Sequence, residues 1–130
     1  MSEEKLSDGS RESILYELRR SFAILNAEIP EKAEIKGFEV PLRDIVLEIR
    51  TGKQKKIEYI LSLIEGINEA IKKHEARIYE DITVEEALKI KDLVLGLKRA
   101  RAELESEISE PNGELEDTKR FYGLIKRIKE

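Results

Sequence analysis

A ladder of apolar positions, Ile57, Ile60, Ile64, Ile67, Ile71, His74 and Ile78, constrains the chain most. A second ladder, Ala87, Ile90, Val94, Leu97, Arg101, Leu104 and Ile108, answers it. Steps that alternate between three and four residues stay on one side of a helix, and two long helices joined by a few residues must pack antiparallel. The spacing therefore predicts a helical hairpin over residues 54–108, with arms at 54–79 and 84–108 and a turn near Asp81-Ile82. Thr83 and Glu86 have the spacing of a capping box at the start of the second arm. Gly66 and Gly96 lie equally far from Asp81, so they fall at one height. Glycine inside a helix costs about 1 kcal/mol, and close backbone approach is one reason to keep it.

The flanking sequence adds smaller pieces. Residues 1–9 are polar and expected to be flexible, and 10–130 form one domain. Ser10 is placed to cap a helix to about Asn26, with Ile14, Leu15, Leu18, Phe22 and Leu25 on its inner face. Ile29-Pro30 stops it, because a residue before proline is pushed toward extended geometry. Residues 27–41 then read as a small β-hairpin insertion, Ala33 to Ile35 and Phe38 to Val40 alternating about Lys36-Gly37. Pro41 opens a short helix from Leu42 to about Arg50, anchored by Ile45, Val46 and Ile49 and ended by Thr51-Gly52. A last helix is expected from Leu115 to Lys129, after Pro111-Asn112-Gly113. The expected fold is mainly α: a long antiparallel hairpin, coiled-coil-like in spacing, with flanking N- and C-terminal helices and a β-hairpin insertion.

Composition narrows the chemistry. Charged residues make up 40% of the chain, cysteine and tryptophan are absent, and the net charge is −4. Heavy use of Glu, Lys and Arg is a habit of thermophilic proteins, so a thermostable protein is expected. Without cysteine there is no disulfide, thiolate chemistry or usual structural zinc site. No stretch approaches the roughly 18 apolar residues of a membrane span, and the polar start lacks a signal-like apolar core, so a cytoplasmic protein is expected.

No catalytic motif emerges. His74, the only histidine, replaces an aliphatic residue in the first ladder without a carboxylate or further ligands at helical spacing, and reads as a boundary residue. Glu58, Glu65 and Glu69 form a carboxylate row of the kind that holds Mg²⁺ in all-helical nucleotide pyrophosphatases. Arg101 on the facing ladder is placed to neutralise it by pairing with Glu58 or Glu65. Neither a metal nor a cofactor is expected. Basic residues cluster at Lys53, Lys55 and Lys56, at Lys89, Lys91, Lys98, Arg99 and Arg101, and at Lys119, Arg120, Lys126, Arg127 and Lys129. The last group lies beside Phe121 and Tyr122 and makes nucleic-acid binding the second reading; the overall negative charge stands against it. Arg43 and Asp44, just after a constrained turn, are the best-placed pair for a specific site.

The arcs of the two arms span roughly 200°, wider than one packing face needs. Some of Leu63, Leu93, Leu97 and Ala100 are therefore expected to remain exposed and to form a contact surface, the simplest partner being a second copy of the chain. The leading functional reading is a non-enzymatic protein interaction or scaffold role with an unidentified protein partner, self-associating as a homodimer.

Glu28-Ile29-Pro30 followed by Ile35-Lys36-Gly37-Phe38-Glu39-Val40-Pro41-Leu42-Arg43-Asp44 resembles the opening region of a family of short archaeal proteins known only as a domain of unknown function. The similarity continues through the charged hairpin and the basic terminal segment. This resemblance implies an archaeal cytoplasmic protein and brings no activity, cofactor or catalytic residue.

Overall fold

The computed structural model describes residues 4–52 and 56–108. Among them are five helices and two strands: α1 (Asp8–Glu17), α2 (Ser21–Leu25), β1 (Ala33–Ile35), β2 (Phe38–Val40), α3 (Leu42–Arg50), α4 (Ile57–Arg77) and α5 (Val84–Ile108). The expected terminal helix and its basic residues lie outside the described residues, as do Lys53 and Lys55.

The two long helices α4 and α5 form the hairpin that the ladders specify. Ion pairs across it, Arg77 to Glu86 at 3.5 Å and Lys98 to Glu75 at 3.1 Å, show the arms running in opposite directions. Ile60, Ile64, Ile67 and Ile71 meet Ala87, Ile90, Val94, Leu97 and Leu104, all buried. Ile78 and Ile82 plug the turn. The Thr83 hydroxyl accepts from the Glu86 backbone N–H at 3.1 Å and donates to its carboxylate, satisfying one orphan donor of α5.

The remaining segments wrap this hairpin from two sides. The strands pair Ala33 with Val40 and Ile35 with Phe38 through the expected two-residue turn, where Lys36 and Gly37 both have positive φ, 54° and 85°. That is the primed turn whose twist suits adjacent strands. This small sheet lies on α4, while α1, α2 and α3 lie on α5. Leu42, Val46 and Ile49 are the buried stripe of α3, with Ile45 half-buried beside it.

Four expectations need correction. Residues 4–9 are pinned: the Leu6 N–H donates to Ile82 O at 3.0 Å, the Val84 N–H donates to Glu4 O at 2.8 Å, and Leu6 is buried. The hairpin turn leaves main-chain groups that need partners, and the amino-terminal segment supplies them. The second correction concerns both ends of the first helix: Ser7 rather than Ser10 caps α1, its hydroxyl accepting from the Ser10 N–H at 3.1 Å. The single helix expected over 10–26 is two, because the Leu18 carbonyl accepts from Lys98 Nζ at 2.7 Å and Arg20 turns extended. In consequence Phe22 and Leu25 leave the inner face and are 72% and 61% exposed.

The glycines are the third correction. They do not bring the arms together; each receives a wrapping segment. A Cβ on Gly66 would collide with the Ile35 side chain, and one on Gly96 with the Glu28 carbonyl oxygen and, at 2.8 Å, Pro30 Cδ. The fourth concerns the arms' surplus apolar surface. Leu63, Leu97 and Ala100 are buried within one chain, and Leu93 packs half-buried against the core. The wrapping layer covers what a bare hairpin would expose.

Candidate functional site

Arg43 and Asp44 part company in the structure. Asp44 is exposed in the first turn of α3, where a carboxylate complements the helix dipole. Arg43 donates from Nε to Ile29 O at 2.9 Å and fastens the Glu28–Pro30 segment that fills the notch over Gly96. It also borders an open cleft of about 530 Å³ with Glu17, Asn26, Glu28, Lys91 and Asp92. Glu28 and Asp92 are exposed, and the cleft lining mixes both charge signs.

A smaller niche of about 160 Å³ lies between the β-hairpin and α4. Glu34, Lys36, Glu69, Lys73 and His74 line it. His74 Nδ1 is buried there without a hydrogen-bond partner among the described residues. Burial holds the imidazole below its usual pKa, helped by the Lys73 and Arg77 cations and opposed by Glu34. Such a ring stays neutral at pH 7.

The carboxylate row does not converge. Glu69 lines the niche, Glu65 lies 3.8 Å from Lys36, and Glu58 sits in the first turn of α4. Arg101 donates to the Asn68 side chain at 2.8 Å, because the arms cross with a register that sets it nearer the turn than Leu61. No three metal-ligating side chains come together among the described residues.

Three members of the middle basic cluster, Lys98, Arg99 and Arg101, bond within the fold, while Lys89 lies on the surface. Lys98 caps the end of α1 at Leu18 O, Arg99 donates to Leu25 O at the end of α2 and, at 3.0 Å, to Glu103, and Lys89 pairs with Glu85. Cations at helix C-termini satisfy orphan carbonyls and complement the dipole. The basic group Lys119, Arg120, Lys126 and Arg127 lies outside the described residues.

What sequence reasoning missed is an apolar outer surface. Phe22, Leu25, Phe38 and Leu47 are between 59% and 73% exposed, and all belong to the wrapping layer. Leu47 had a readable signal: Leu42, Val46 and Ile49 define one stripe of α3, and Leu47 falls off it. Phe22 and Leu25 had none, since their exposure follows from a helix break that a lysine 80 residues away enforces.

These features define a mainly α protein, a helical hairpin wrapped by short elements, in which no helix among the described residues is long and apolar enough to cross a membrane. The chain belongs to the family of unknown function DUF5788, which matches residues 6–126. No curated protein and no solved structure matches it.

Proposed function

We propose that the protein is a non-enzymatic protein interaction module that self-associates, and that its contact surface lies on the wrapping layer. The observation that carries this reading is the exposure of Phe22, Leu25 and Leu47 on the two short helices that lie on α5; other large apolar side chains, Tyr16, Phe38, Tyr79 and Leu88 among them, are also exposed but elsewhere in the chain. Exposed apolar side chains gathered on one layer mark contact surfaces, whereas scattered ones are ordinary. Phe22 and Leu25 lie one turn apart on α2, so they face the same way.

Light scattering during size-exclusion chromatography tests it. The reading expects a mass near twice the 15.0 kDa of one chain, falling toward a single chain when Phe22, Leu25 and Leu47 are all replaced by serine. A mass near 15.0 kDa at every concentration overturns it. The same reading expects no pyrophosphate release from nucleoside triphosphates with Mg²⁺; release that disappears when Glu58, Glu65 and Glu69 become glutamine would favour an enzyme instead.

A further inference from the structure

We propose that two copies of this chain dock the α2 face of one onto the α3 face of the other, twice, about a two-fold axis, with arginine rims meeting carboxylate rims. This rests on the self-association reading and specifies the surface. The α2 face presents Phe22 and Leu25, and the exposed Arg19 and Arg20 stand immediately before it. The α3 face presents Leu47, 59% exposed, with Asp44 one turn earlier and Glu48 beside it, both exposed.

The free charge on the two faces has opposite sign. On α3, the arginines are held within the chain: Arg43 donates to Ile29 O, and Arg50 pairs with Glu103 at 2.5 Å. With Arg50 neutralised by Glu103, and Arg43 keeping its charge because its acceptor is a neutral carbonyl, Asp44 and Glu48 leave that rim net negative. Beside α2, Arg20 pairs with Glu17 at 3.5 Å and lies 5.8 Å over the Tyr16 ring, so the exposed Arg19 leaves that rim net positive. An α2 face laid on another α2 face would bring arginine to arginine. Two α3 faces would oppose carboxylates. Only the crossed pairing matches charge with charge, and a two-fold axis repeats it.

The faces also adjoin. Arg99 joins the Leu25 carbonyl to Glu103, and Glu103 joins Arg50 at the end of α3. One network on α5 thus fixes the ends of both docking helices, so no rearrangement is needed to present them together. Apolar contact supplies affinity, while exposed ion pairs of this kind add little of it and set partner and register.

Charge exchange on the full chain tests the pairing, with light scattering to read mass and circular dichroism to confirm the fold. R19E with R20E places acid against acid at both contacts and is expected to weaken the dimer at least tenfold; D44K with E48K is expected to do the same with base against base. An equimolar mixture of the two variants has matching rims and is expected to recover a dimer. A wild-type dimer indifferent to both exchanges overturns this docking and leaves self-association standing on another surface. A mass near 15.0 kDa at all concentrations overturns both.

Discussion

The hairpin and the layer wrapped around it are held by different physics. In α4 and α5, helices of 21 and 25 residues, register follows from rows of isoleucine, leucine and alanine meeting across a buried seam. The wrapping elements are 3 to 10 residues long, too short to hold themselves. Long cationic side chains place them by donating to main-chain carbonyls: Arg11 Nε to Ile78 O at 2.7 Å, Lys98 to Leu18 O, Arg99 to Leu25 O and Arg43 to Ile29 O. Hydrophobic pattern builds the frame; the cover buries side chains such as Leu18, Ile35, Leu42 and Ile49 against it, and cations stitch its main chain in place. A charge-rich composition that resembles a solvated surface here fastens chain segments.

The comparison breaks most readily at Leu97, which belongs to both regions. Were it exposed in one chain, Leu97→Ala would change stability by less than about 0.5 kcal/mol. Buried at 1% exposure, it should cost about 2–5 kcal/mol in denaturant titration. Lys98→Met, which keeps the stem and removes the charge, should cost about 1.5–3 kcal/mol by orphaning Leu18 O and the Glu75 carboxylate. Hydrogen exchange should quicken in residues 18–25 and stay slow in α4.

Gly96→Ala gives a smaller loss. Alanine favours a helix by about 1 kcal/mol, yet its Cβ meets backbone at Glu28, so a net loss of about 1–2 kcal/mol is expected from thermal melts. Gly66→Ala meets a side chain, and Ile35→Ala should relieve that clash while nothing comparable rescues Gly96→Ala. The smallest effect is at His74. Its folded pKa lies below the unfolded 6.5, so the unfolded chain takes the proton first on acidification. The stability this neutral ring contributes is complete above pH 6.5 and is lost as pH falls through the folded pKa. The melting temperature should therefore drop more between pH 7.5 and 5.5 for the wild type than for His74→Gln; equal drops would remove His74 as the cause.

The frame was legible in the sequence, the cover much less so. Alternating steps of three and four located both arms, Thr83 and Glu86 marked the start of α5, and Lys36-Gly37 marked the strand turn. Each signal sits within a few residues of what it determines. The break at Leu18, the burial of Leu63, Leu97 and Ala100, and the seating of Pro30 on Gly96 depend on residues far apart in the chain. Periodicity carries no information about which distant segment fills a notch. It likewise placed Arg101 beside Glu58 or Glu65 by counting from the turn, where it bonds Asn68. The sequence paired Arg43 with Asp44 because both follow a constrained turn; it carried no sign of the Ile29 carbonyl that Arg43 bonds, 14 residues earlier.

The antiparallel bridge between Lys5 and Thr83 has a consequence for how the chain comes into being. The residues that seal the hairpin turn are made first, and the turn they seal emerges late; Arg11 likewise precedes its acceptor at Ile78 by 67 positions. At ribosomal speed that interval is on the order of ten seconds, during which α1 has nothing to close upon. The frame can zip as soon as α5 is made, because its contacts are local about one turn. Assembly should thus run backwards relative to synthesis, the later half becoming the template on which the earlier half settles.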